Sequence, residues 1–316
     1  MDERYLHLGV RGMAVGGEEV MAHRGAAPLA AWFFDRDHRL APDVSAAMTG
    51  QVDRQMKRHT WIFSDPPAGN VARCDPEELV EVLRPQLDTV NAIGHDIIFT
   101  ALALRVFEVM PELCTEAVCD GLARLIRSCR DFPFTNVADV FDVAPAATGW
   151  ADLDVSTCAA MARVAMETAV GFEHVYVGTH QGNIGHIINH AHALLTFERL
   201  GYDDVVDAGR NAFAMHAAGL QSVWEATADL DEAPPPDPFD ADSVGYWERD
   251  LGWDDWASGH AFKYPYALFD LLPLVDESLA TAAMTRVRAL VQGRRETKDG
   301  IGEPDDHGAR SEKLSC

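Results

Sequence analysis

From Asp75 onward, apolar residues recur at the three-to-four-residue spacing of a helix with one buried face. Asp75-Pro76-Glu77-Glu78 reads as a helix start, with an N-cap acid, proline at the first helical position and acids in the first turn. The rhythm then runs through Leu79, Val82, Leu83 and Leu87. A second helix passes through Ile97, Ile98, Leu102, Leu104, Val106 and Phe107 and stops at Pro111. A third covers residues 115–130, with Val118, Leu122, Leu125 and Ile126 on one side. Asp154 or Ser156 is expected to cap a helix of small residues from Cys158 to Val170, and further helices are expected over 184–200, 203–224, 260–272 and 276–292. The first 70 residues have no firm period, although 27–34 and 60–63 are short apolar runs.

Consecutive helices with almost no strand signal predict an all-α fold, an array of antiparallel helix pairs. The pattern leaves open whether the pairs close into an α/α toroid, pack as a bundle or stack as an open solenoid. Residues 131–153, with Pro133, Pro145 and Gly149, read as a long connection, and the acidic, proline-rich stretch 228–243 reads as a surface loop or lid. One helical domain is expected over 1–293, followed by a charged, disordered tail over 294–316.

The chain has 316 residues, 47% of them apolar, and a formal charge of −24 at pH 7. That charge argues against nucleic acid or an anionic membrane as a partner. No basic start with an apolar leader is visible, and no run approaches the ~18 apolar residues of a membrane span. A cytoplasmic location is therefore expected. The six cysteines (Cys74, Cys114, Cys119, Cys129, Cys158, Cys316) contain no CxxC pair, and they read as core rather than as disulfides or a thiolate zinc site.

The candidate chemistry lies in a recurring dipeptide. Gly94-His95, Gly185-His186 and Gly259-His260 each precede an apolar stretch, whereas 24 glycines and 13 histidines in 316 residues predict only about one such pair by chance. Equivalent helix starts in a repeated array lie at one end, so these histidines can converge, and neutral imidazoles suit zinc or a redox metal. The plain alternative is that glycine and a polar residue merely mark helix starts. His180, His186, His190 and His192 crowd the middle segment. His186 and His190 share one helix face, while His192 falls roughly 120° away from His186. All three therefore cannot address one ion, and His190 and His192 compete for the role. Lys263, three residues after His260 and among Tyr264, Tyr266, Phe262 and Phe269, can snorkel to solvent, pair with a carboxylate, act as a base or be carbamylated into a ligand. Asp96 reads as a residue that caps or orients His95. His7, His23, His38, His59, His174 and His307 stand in segments too poorly patterned to use, and His216 reads as core.

The stretch His186-Ile187-Ile188-Asn189-His190-Ala191-His192-Ala193 resembles a helix of questin oxidase-like proteins, in which two histidines separated by five residues are followed by alanine. Gly94-His95 with Ala101-Leu102 is similar to that family's early histidine helix, and His260-Ala261-Phe262-Lys263 to its late HxxK element. The order agrees along the chain, over three short windows. The resemblance implies a helical, non-haem iron oxygenase that oxidises or opens polycyclic aromatic compounds. It also implies His95, His186, His192 and His260 as ligands, with Lys263 as a modified ligand of one branch.

The resulting expectation is a metal-dependent oxidoreductase, with Fe(II) first and zinc second, acting on an apolar or aromatic small molecule. Its metal ligands are drawn from His95, His186, His190, His192 and His260, and Lys263 and Tyr264 are its catalytic candidates. Trp253, Trp256, Phe262, Tyr264 and Tyr266 would line the substrate cavity, although core packing is the commoner role of such residues. Two other readings keep the helices: a metal-free isomerase, lyase or cyclase using histidine and tyrosine as acids and bases, and a non-catalytic binding scaffold.

Overall fold

The computed structural model describes residues 1–63, 72–131, 152–172, 179–222, 224, 241–248 and 257–290. The expected disordered tail lies outside the described residues. So does nearly all of the connection over 131–153 and of the proline-rich loop over 228–243.

The protein is all-α. Its helices are α1 (Arg4–Gly16), α2 (Glu19–His38), α3 (Pro42–Arg58), α4 (Thr60–Phe63), α5 (Glu77–Leu83), α6 (His95–Val109), α7 (Glu116–Arg130), α8 (Cys158–Gly171), α9 (Thr179–Arg199), α10 (Asp203–Gln221), α11 (Val244–Glu248), α12 (Ala257–Leu271) and α13 (Glu277–Leu290). Among the described residues the extended chain is limited to one isolated bridge, Arg73 to Thr115. No described helix is long and apolar enough to cross a membrane.

Four helices from distant parts of the chain form the centre. α2 packs on α6 and α12, and α9 packs on the same two, closing a ring. α1 and α3 cover α2; α7 covers α6; α8, α10 and α13 cover α9. Sequential neighbours do pair, as α1 with α2 and α8 with α9. The whole, however, is a bundle around four central helices rather than a toroid of consecutive hairpins.

The helix starts follow local chemistry. At α5, Asp75 Oδ1 accepts the Glu77 N–H at 3.0 Å, as the sequence predicts. At α8 the cap is Thr157, whose hydroxyl accepts the Ala160 N–H at 3.1 Å. The expected caps Asp154 and Ser156 bond each other one step earlier. α12 continues through Pro265, which has no N–H to give. The Ala261 carbonyl instead accepts the Tyr246 hydroxyl at 3.0 Å.

The unpatterned N-terminal stretch proves helical. Every residue from Ala22 to Phe34 is buried, so α2 has no polar face and leaves no period in the sequence. Its contact with α1 runs through glycines. A Cβ on Gly25 would sit 2.2 Å from Met13 N and 2.6 Å from the Gly12 carbonyl carbon, so the two backbones touch.

Gly25→Ala is therefore expected to destabilise the protein by about 3 kcal/mol or more, because backbone cannot rotate away as a side chain does. Gly50→Ala in α3, where the nearest neighbour is the Arg54 side chain at 3.6 Å, should be neutral or stabilising by up to about 1 kcal/mol. Urea unfolding of the two variants beside the parent checks both.

Candidate metal centre

Each helix of the central ring contributes one histidine: His23 from α2, His95 from α6, His186 from α9 and His260 from α12. One ligand nitrogen of each lies within 4.8 Å of the others, and all four residues are at most 3% exposed. His95 Nε2 lies 2.8 Å from His186 Nε2, which lies 3.1 Å from His260 Nε2.

His95 is aimed by a strained turn. Ala92, Ile93 and Gly94 take positive φ in succession (43°, 59° and 85°), which glycine accepts freely and a β-branched residue resists. The turn is held by Asn91, whose side-chain amide donates to Gln86 O and to Asp96 Oδ2. Asp96 also accepts the Ile97 N–H through Oδ1. It thus braces the turn beneath His95 instead of orienting the ring, and burial pushes its carboxyl up to about 7. The turn brings the Ala92 carbonyl 2.5 Å from His95 Nδ1. Nδ1–H donates there, so the free lone pair of His95 is on Nε2, facing the other rings.

The repeated glycines do different jobs from the one their shared motif implies. Gly94 directly precedes α6 and Gly259 lies in the first turn of α12, whereas Gly185 lies well inside α9. A Cβ at 185 would sit 2.2 Å from the Tyr264 ring, and one at 259 would sit 2.8 Å from His23 Nδ1. These glycines clear space for the groups around the histidines. Tyr264 uses that space to place its hydroxyl 3.4 Å from His186 Nδ1. Lys263 does not reach solvent: it is buried, with Nζ 2.9 Å from His23 Nδ1 and 5.2 Å from the Phe99 ring centre.

An imidazole nitrogen either carries a proton or presents a lone pair. With Nδ1–H given to Ala92, His95 turns its Nε2 lone pair toward the Nε2 atoms of His186 and His260. Ring nitrogens from several helices converging on one point are a donor set that a cation can bind. Nitrogens about 2.1 Å from one ion stand about 3.0 Å apart at right angles and about 3.4 Å apart in a tetrahedron. The spacings of 2.8 and 3.1 Å bring these nitrogens close enough for one ion to reach all three. Burial, then the neighbouring His186, His23, Lys263 and His260, keep His95 well below the ordinary histidine value. Burial, Lys263 and His186 do the same to His23. Neutral imidazoles are the form that binds metal. The buried four-histidine group thus fits a divalent metal.

Of the histidines read as ligands, His95, His186 and His260 come together, and His190 and His192 lie outside the group. His192 Nε2 bonds Asp270 Oδ2 at 3.0 Å. Asp270 also receives His38 and Arg199. Burial pushes the Asp270 carboxyl up, yet these partners together hold it well below the usual carboxylate range. His190 turns away to His216, with their Nδ1 atoms 3.2 Å apart, and fills the space above Gly94. His23 escaped the sequence reading. Its one signal was a polar residue opening a run that stays apolar on every face. Trp253 and Trp256 lie outside the described residues. Phe262 stacks on Trp247 as core.

Beside Lys263 a cavity of about 20 Å³ is lined by Ile98, Leu102, Asn189, His192, Thr196 and Tyr266, among others. That volume holds a water or a diatomic molecule. Comparison of the chain with models of known families, with curated proteins and with solved structures finds no match.

The buried histidines set an acid limit. Burial lowers His190 to about 3, and burial together with His190 lowers His216 well below its ordinary value. Below about pH 6.5 the unfolded chain binds protons at these positions that the native chain refuses, so stability falls as pH falls. For His190 alone the loss between pH 6.5 and 5 is roughly 2 kcal/mol. Asp96 acts in the opposite sense, but it is one group against several. Thermal unfolding should show Tm dropping from pH 7 to 5, and the double variant His190→Leu/His216→Leu should flatten that slope. An unchanged slope would contradict the assignment.

Proposed function

We propose that the protein is a metal-dependent oxidoreductase, a non-haem iron oxygenase acting on an apolar or aromatic small molecule. The observation that carries this reading is the convergence of four buried histidines, with the Nε2 atoms of His95, His186 and His260 meeting at close range. His95, His186 and His260 would hold the ion, with His23 as a fourth donor. Imidazole donors suit iron(II) as well as zinc. Iron(II) held there would supply one-electron and dioxygen chemistry. The resemblance of the histidine motifs to questin oxidase-like oxygenases points the same way.

The protein's own groups have distinct tasks in this scheme. The Ala92 carbonyl fixes the His95 tautomer, as outer partners of metal ligands commonly do. Tyr264 restrains the far nitrogen of His186. Lys263 governs His23: a cationic Lys263 donates to Nδ1, whereas a neutral Lys263 accepts a hydrogen bond from Nδ1–H and leaves the lone pair on Nε2. The small cavity touches Lys263 and suits dioxygen or water, and it is far below the roughly 300 Å³ of a drug-sized pocket. Substrate therefore needs a separate space next to the centre.

Elemental analysis of the full chain should find near one equivalent of iron at the histidine centre. His186→Ala and His260→Ala should each lower it more than tenfold, while His192→Ala keeps the metal and loses stability through Asp270. Dioxygen uptake in the presence of aromatic substrates should follow the iron. Full metal content in His186→Ala would refute the reading, and a folded, metal-free protein with undiminished turnover would transfer the site to acid–base catalysis.

A further inference from the structure

The cysteines are more than scattered core. Cys74, Cys114 and Cys119 stand with their sulfurs within 4.8 Å of one another, a grouping that their sequence spacing hides. Cys74 follows the bridge residue Arg73, Cys114 precedes the bridge residue Thr115, and Cys119 lies in the opening of α7. The bridge assembles them. The Cys74 N–H donates to Cys114 O at 3.0 Å, the Glu116 N–H donates to Ala72 O at 2.9 Å, and the Cys114 thiol reaches Cys74 O at 3.2 Å. Cys114 and Cys119 sulfurs are 3.5 Å apart, in thiol contact and far from the ~2.05 Å of a disulfide.

Sulfurs bound to one zinc at about 2.3 Å stand about 3.8 Å apart in a tetrahedron. Cys114 and Cys119 are already near that spacing, and Cys74 lies within 4.8 Å of both. The N-terminus of α7 favours negative charge beside Cys114 and Cys119. Three thiols so close together, two of them buried, are a donor set for a soft cation, which would replace their protons.

We propose that Cys74, Cys114 and Cys119 form a second, structural site for zinc(II), separate from the histidine centre, with water in the fourth position on the partly exposed Cys74 side. Three S–H bonds break and three S–Zn bonds form, the protons leave to solvent, and nothing is oxidised or reduced. The ion would pin the start of α5 to α7, across 40 residues of chain between Cys74 and Cys114. Cys74, the partly exposed member, gives the ion its access route.

Cobalt(II) loading of the full chain tests this, because thiolate ligation gives a sulfur-to-metal charge-transfer band that imidazoles do not. One equivalent should produce the band in the parent and in His186→Ala, and Cys119→Ser should abolish it. Cys74→Ser, at the exposed edge and checked for folding by circular dichroism, should weaken the band at least tenfold in cobalt affinity. Zinc should raise Tm of the parent and not of either cysteine variant. Absence of the band in folded parent protein, its persistence in Cys119→Ser, or a Cys114–Cys119 disulfide in protein purified under reducing conditions would each overturn the proposal.

Discussion

Four histidines from four helices turn ring nitrogens toward one point in a buried interior, and much of the structure exists to keep them there. In water the rings would disperse, each solvated on its own. Burying polar rings side by side is costly unless they are well matched. The surrounding structure must therefore over-determine the arrangement. The left-handed turn 92–94, braced by Asn91 and Asp96, shows how strongly it does so.

Backbone proximity is the second requirement. The centre draws on four helices, and rings as large as His23 and Tyr264 fit between them only where a neighbour has no side chain. Gly259 and Gly185 meet that need from inside helices, at a propensity cost near 1 kcal/mol each. The same device brings α1 against α2 at Gly25, which seats the helix that carries His23. Close helix approach and metal geometry are thus one problem in this protein.

Buried charge is handled elsewhere. Asp270 gathers His38, His192 and Arg199 and ties α2, α9 and α12 together outside the centre. His190 and His216 form a separate buried pair. A helix spreads the histidines of one short segment around its axis. His186, His190 and His192 accordingly serve three different environments.

The sequence by itself determined the helical class, the start of α5, the amphipathic α7, and that histidines at 95, 186 and 260 deserved joint attention. Those features are local: capping chemistry and one-sided burial leave a period that can be read directly. Only the tertiary structure decided that His23 joins them, that His190 and His192 do not, and that Cys74 meets Cys114 and Cys119. α2 is buried on every side, so its pattern is blank, and the cysteines are joined by a bridge across 40 residues. Convergence of side chains from four non-consecutive helices depends on how those helices pack, and the spacing within any one of them carries no record of it.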